Sequence, residues 1–158
     1  MCLLVGHIVD EDVLEKLDQI ISEFTAFKDW EDRYKHLINL GKQMPDFPEE
    51  HRLETNKVKG CQSQVWLVSS LERYEDNYKI NFLADSDASI MKGIVALLTK
   101  VYSGLTPDEI LGLKADFIDQ IGLRQHLSMS RANGLNSMLK QINLYAYAYQ
   151  QKIKMGLV

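Results

Sequence analysis

The chain has 158 residues, one domain's worth, and a globular fold of this size buries roughly 70% of its unfolded surface, so a single core over residues 1–158 is feasible. Hydrophobic residues make up 46% and charged residues 25%, the average for soluble globular proteins, which argues against a disordered chain. The formal net charge is −4 with acidic and basic residues interspersed, so there is no basic stripe to meet a phosphate backbone and no nucleic acid partner is expected.

The opening MCLLVGHIV is apolar but lacks a basic leading segment and a small-residue cleavage site, and Asp10, Glu11 and Asp12 follow at once. Neither a signal peptide nor a membrane span is expected, and residues 1–9 read as an extension with no assigned role. From Asp10 to Phe27 the residues Val13, Leu14, Leu17, Ile20, Ile21 and Phe24 recur at helical spacing behind Asp10 as a cap, which predicts an amphipathic helix. A second helix is expected from about Trp30 to Leu40, with Asp29 as its cap and Gly41 at a left-handed exit. In QMPDFPEEHRLETNK, Pro45 and Pro48 interrupt helix and no period holds, so a long surface connection leads to Cys61.

Strands are expected over Ser63–Ser69 and Tyr78–Leu83, joined through the turn formers Asp76 and Asn77 into an antiparallel hairpin. The next segment carries Ile90, Met91, Ile94, Val95, Leu97, Leu98 and Val101, a face wide enough for the central helix of the core, with Asp85 or Ser86 as cap. Thr106–Glu109, TPDE, is a capping box with proline at the first helical position, opening a short helix to about Leu111. After a run of short turns, the last helix spans about Ser130 to Lys154, with Leu135, Met138, Leu139, Ile142, Tyr145 and Tyr149 inward. Helices, a small antiparallel sheet, then helices describe an α+β fold, since no strand and helix alternation supports a parallel sheet.

The chemistry centres on Cys61. Free cysteine usually packs as a small hydrophobe, but KGCQSQ surrounds this one with polar and turn-prone residues, and the apolar strand begins only at Val65. Gly60 opens backbone angles closed to other residues, so the thiol can be presented at a loop tip. The thiolate is the nucleophile, and Lys57 and Lys59 could favour it or be ordinary solvated charges. Two cysteines, Cys2 and Cys61, make a poor disulfide framework and fit a reducing compartment such as the cytoplasm. Cys2 reads as a frayed terminal thiol. With His7, His36, His51 and His126 it shows no CxxC or HxxxH spacing, so no metal site is expected. His126 is either a hydrogen-bonded structural histidine or the base partner of Cys61 in a cysteine hydrolase, oriented by Asp87 or Asn133.

The run VKGCQSQVWLV, Val58 to Val68, closely resembles the active-site segment of the SufE-like cysteine desulfuration proteins, sulfur acceptors that work with SufS- or CsdA-type cysteine desulfurases. DWEDRYKHLINLGKQMP resembles that family's helix with its Trp, Tyr and Leu-Gly pattern, and Asn56 falls where the family has an asparagine before GCQS. DSDASIMKG, LTPDEI, HLS and SRANGL are similar to later family blocks in the same order. Met129 departs from the pattern, standing where proline is common, though Ser128 can still cap the last helix.

The resemblance implies a SufE/IscU-like fold with Cys61 on a loop beside the sheet. It implies a protein that takes persulfide sulfur from a partner desulfurase onto Cys61, stimulates that enzyme and relays sulfur toward iron–sulfur cluster assembly on downstream scaffold proteins. Such a protein is not an enzyme on its own and needs no cofactor, since pyridoxal phosphate belongs to the partner. Gly60 and Gln62 would shape the loop, and Asp87, His126 and Arg131 would serve partner docking; equally, Asp87 would favour its helix N-terminus and Arg131 would pair with a carboxylate. A resting persulfide needs shelter, so Cys61 is expected to tuck against Val65 or Trp66 and swing out on docking. Two other readings stand beside this one: the Cys61–His126 hydrolase, and a docking module whose cysteine only packs.

Overall fold

The computed structural model describes residues 10–158; Cys2, His7 and the apolar start lie outside the described residues. Helix α1 (Glu11–Thr25) begins as expected, with the Asp10 carboxylate accepting the Asp12 N–H at 3.2 Å, and it buries Ile20 and Phe24. Helix α2 (Trp30–Lys42) buries Leu37 and Gly41, and no side-chain bond from Asp29 caps it. The connection that follows holds two single 3-10 turns, Glu49–His51 and Glu54–Asn56, and is anchored more firmly than its lack of period suggests. Phe47 is buried, and the Arg52 guanidinium lies 5.3 Å from its ring centroid and 4.9 Å from that of Trp66.

Strands β1 (Val65–Tyr74) and β2 (Asn77–Ser86) pair antiparallel, in register from Val65 opposite Ser86 to Tyr74 opposite Asn77. Both run further than Ser63–Ser69 and Tyr78–Leu83. At the exposed tip, cross-strand pairs extend the ladder: Lys79 sits 3.7 Å from the Tyr74 ring centroid, and the Asn81 amide donates to Glu72 at 2.8 Å. The two-residue turn is Glu75 and Asp76, with Glu75 at φ 53°, so Asn77 already belongs to β2. The outer edge of β2 is covered by residues 103–105, where the Ile80 N–H donates to the Leu105 carbonyl and the Gly104 N–H donates to the Ile80 carbonyl, each at 2.8 Å.

Helix α3 (Ser89–Tyr102) is the central element, burying Ile90, Met91, Ile94, Val95, Leu97 and Leu98 among others. Its N-cap is Ala88, with no side-chain bond, so neither Asp85 nor Ser86 is the helix cap. Both stay in β2, opposite Trp66 and Val65, because the ladder satisfies their backbone there. Asp85 is buried and accepts from Arg52 at 2.5 Å, from the Ser86 N–H at 2.8 Å and from Lys92 at 3.4 Å. Burial pushes its carboxyl up, but these donors outweigh burial and hold it below the usual carboxylate range. The stability this gives is fully present above the unfolded value near 4 and is lost as pH falls through the lower folded value. Asp85→Asn is therefore expected to cost about 1–2 kcal/mol at neutral pH, with the gap to the parent closing below about pH 4 in urea melts.

Gly41 does not end α2 in a left-handed turn; the helix continues to a right-handed cap at Gln43. The reason is the crossing with α3. A Cβ on Gly41 would sit 2.9 Å from the Gly93 nitrogen, and one on Gly93 would sit 2.8 Å from the Leu37 carbonyl carbon. The paired glycines let the two backbones touch.

Helix α4 (Pro107–Gly112) starts on the full Thr106–Glu109 capping box. The expected run of turns contains a helix, α5 (Asp116–Ile121), closed by Gly122 at φ +84° with the Leu123 N–H donating to the Ile118 carbonyl at 3.1 Å. Helix α6 (Met129–Lys154) begins at Ser128, whose Oγ accepts the Arg131 N–H, and buries Leu135, Met138, Leu139, Ile142 and Ala146. All these elements feed one apolar cluster beneath the hairpin, an α+β arrangement of a small antiparallel sheet packed with helices. Among the described residues, no helix is long and apolar enough to cross a membrane.

Candidate functional site around Cys61

The segment between the 3-10 turns and β1 folds into a closed loop. The Val58 N–H donates to the Val65 carbonyl at 2.8 Å and Lys57 pairs with Trp66, which joins the two ends at the loop's base. Gly60 sits at φ +90°, and a Cβ there would lie 2.5 Å from Ser137 Oγ of α6, so glycine is required by both backbone angle and space. The far side is pinned by Asp87, whose two carboxylate oxygens accept the Gln64 N–H at 3.0 Å and the Gln64 side-chain amide at 3.1 Å. The Asp87 N–H returns to the Gln64 carbonyl at 3.2 Å. Asp87 thus braces the loop exit against the start of α3.

Cys61, at the tip, is half-buried. Its recess is lined by Met91 of α3 and Gly134 of α6. The thiol donates to the Gly134 carbonyl at 3.7 Å, and a Cβ on Gly134 would lie 3.6 Å from the sulfur and 3.1 Å from Met91 Cε. In front of the sulfur opens a cavity of about 360 Å³, rimmed by Gln62, Ser63, Ser128, Ser130 and Arg131. The N-terminus of α6, with its partial positive charge, therefore faces the same space as the thiol.

Burial pushes the Cys61 thiol up from its ordinary value. The lysines that could have favoured the anion are turned to other uses: Lys57 is bound to Glu54 at 3.0 Å, and Lys59 lines a different cavity. The resting state is therefore the protonated, sheltered thiol. Alkylation of Cys61 by iodoacetamide is expected to be slow at neutral pH and to have its rise with pH displaced above that of an exposed thiol such as N-acetylcysteine; a rise at or below that of the exposed thiol would contradict this.

Four of the sequence-predicted residues, Gly60, Cys61, Gln62 and Arg131, come together around this loop and cavity. The Arg131 guanidinium reaches the Tyr34 hydroxyl at 3.5 Å and meets no carboxylate among the described residues. His126 is held elsewhere: its Nδ1 lies 2.9 Å from the Gly122 carbonyl oxygen and its ring stacks on Trp30 with centroids 4.3 Å apart. It does not line the Cys61 cavity. Sequence reasoning missed Gln64, Met91, Gly134 and Ser137. Of these only Gly134 carried a signal, since a glycine inside a helix costs about 1 kcal/mol relative to alanine and asks for a packing reason. No three His, Cys, Asp or Glu side chains among the described residues converge to hold a metal ion.

Residues 18–146 match the model of the SufE family, described as an Fe-S metabolism associated domain. The chain is 47% identical over 130 residues to an uncharacterised SufE-like protein of Rhizobium etli, covering 82% of this chain and 88% of that one. It is 40% identical over 134 residues to a SufE-like protein of Synechocystis, covering 85% and 82% respectively. A solution structure of a hypothetical protein from Thermus thermophilus superposes with a TM-score of 0.69 over 86% of this chain and 96% of that one, at 22% identity, a likeness of fold alone. The chain belongs to the SufE family, a family tied to iron–sulfur metabolism.

Proposed function

We propose that this protein accepts sulfur on Cys61 from the persulfide of a SufS- or CsdA-type cysteine desulfurase, accelerates that enzyme's turnover and passes the sulfur toward iron–sulfur scaffold proteins. The observation that carries the reading is the sheltered thiol itself: a nucleophile on a closed loop, tucked between Met91 and Gly134, with a cavity and a cationic rim before it. The Cys61 proton leaves first, and the thiolate then attacks the outer sulfur of the donor persulfide. The donor's S–S bond breaks, its thiolate departs, and Cys61 is left carrying the persulfide, with no net oxidation. One persulfide replaces another, so rate comes from aligning two sulfurs and excluding other thiols. Docking that turns Cys61 out of its recess would bring the sulfur toward the Arg131 guanidinium and the α6 N-terminus, both of which favour the anion.

On this reading the chain needs no cofactor of its own, acts as an accessory protein in the cytoplasm, and docks through Gln62, Arg131 and the loop that Asp87 braces. His126 would contribute through its stack on Trp30, at a distance from the sulfur chemistry. A hydrolase would require His126 hydrogen-bonded to Cys61, whereas its Nδ1 faces the Gly122 carbonyl. The test is alanine formation from L-cysteine by a SufS- or CsdA-type desulfurase. Adding this protein is expected to raise the rate about tenfold, a modest share of what positioning can supply, and an unchanged rate at every ratio with both partner types would overturn the reading.

A further inference from the structure

Behind the Cys61 loop, on the side away from the sulfur, lies a second cavity of about 390 Å³ that the sulfur chemistry does not use. Its volume is within the range of small-molecule sites, and it is walled by residues 55–59 leading into the loop, by Leu67 of β1 and by α6. Lys57 and Lys59, from the approach to the loop, and Lys140, from α6, converge on it. Only Lys57 has a carboxylate partner, Glu54, among the described residues. In a chain of net charge −4, this gathers positive charge with one compensating anion. The walls are mixed: Thr55, Asn56, Ser137 and Gln141 are polar, and the apolar part is an exposed patch on α6 at Leu144, 51% exposed, with Tyr145 beside it. An apolar body with one anionic end satisfies both features, the chain covering Leu144 and the charge meeting Lys59 and Lys140.

We propose that this cavity binds a small amphipathic anion, a short apolar chain ending in a carboxylate or phosphate, and that its occupancy holds the Cys61 loop in its sheltered position. The coupling is geometric. Lys59 is directly followed by Gly60, which packs on Ser137, and Ser137 also lines the cavity. A ligand paired with Lys59 ties the loop's first limb to α6, and Cys61 leaves its recess only when that limb moves. The site stands on the cavity alone and does not depend on the sulfur-acceptor reading.

The test uses the full chain in an amide NMR titration with hexanoate, with 1-hexanol as a probe of the apolar chain alone and inorganic phosphate as a probe of charge alone. Hexanoate is expected to produce saturable shifts at Lys59, Gly60, Ser137, Lys140 and Leu144 at millimolar concentration. Either control, and either Lys59→Gln or Lys140→Gln, is expected to weaken binding about tenfold. At a hexanoate concentration near twice its Kd, alkylation of Cys61 by iodoacetamide is expected to slow about threefold, the factor by which a ligand of the closed loop suppresses opening. Scattered or absent shifts, equal binding of hexanol, or unchanged binding by both lysine variants would overturn the site. Demonstrated binding with an unchanged alkylation rate would overturn the coupling.

Discussion

Gly93→Ala is expected to destabilise the fold by about 2 kcal/mol, even though alanine is the better helix former by about 1 kcal/mol. The new methyl would lie 2.8 Å from the Leu37 carbonyl carbon and closer still to its oxygen, atoms of a buried helix backbone that cannot rotate aside. Relief requires α2 and α3 to separate by a fraction of an ångström along their shared face, and a gap of 0.5–1 Å already forfeits roughly a quarter to a half of each dispersion contact it opens. Leu37, Ile90, Ile94 and Leu97 are all buried in the same cluster, so the loss is shared by many contacts and outweighs the gain in helix propensity. For a chain of this length the melting temperature should fall by about 4–8 °C. A melting temperature equal to or above the parent's would show that the helices do not approach as closely as the two glycines allow.

Cys61→Ser is expected to abolish desulfurase stimulation altogether, returning alanine formation to the partner's basal rate. Serine is close in size and still carries a donor on the side of the Gly134 carbonyl, so the cost to stability should stay within about 1 kcal/mol and the loss would be chemical. An alkoxide is not accessible near neutral pH, and no exchange with a persulfide sulfur can begin without the thiolate. The variant should still compete with the parent for the partner, because the loop braces at Gly60, Gln64 and Asp87 are intact. Full stimulation by Cys61→Ser would leave only a docking module.

What the chain shows locally was legible before the fold was known. The Thr106–Glu109 capping box, the periodic faces of α1, α3 and α6, and Gly60 before Cys61 all act through neighbours a few residues away. What was not legible depends on partners far along the chain. Asp85 looks like a helix cap until Arg52 and Lys92 claim it, and Asp87 looks like one until Gln64 does. Gly41 looks like a helix stop because its reason, Gly93, is on another helix. The polar ends of β1 and β2 do not read as strand, since their support is cross-strand pairing at a solvent-exposed tip. The same holds at the site: the motif around Cys61 pointed to a presented thiol, while its recess is built from Met91 and Gly134, residues no local pattern connects to it. His126 was drawn toward Cys61 by residue type alone, and its stack with Trp30 is a tertiary fact.

The central claim is that Cys61 receives a single sulfur atom from another protein's persulfide. The direct measurement is the intact mass of the chain after mixing with a SufS- or CsdA-type desulfurase, pyridoxal phosphate and L-cysteine. The expected result is a gain of one sulfur atom that is released by a thiol reductant, kept in Cys2→Ser and absent in Cys61→Ser. An unchanged mass beside a loaded donor, or a gain that persists in Cys61→Ser, would contradict it.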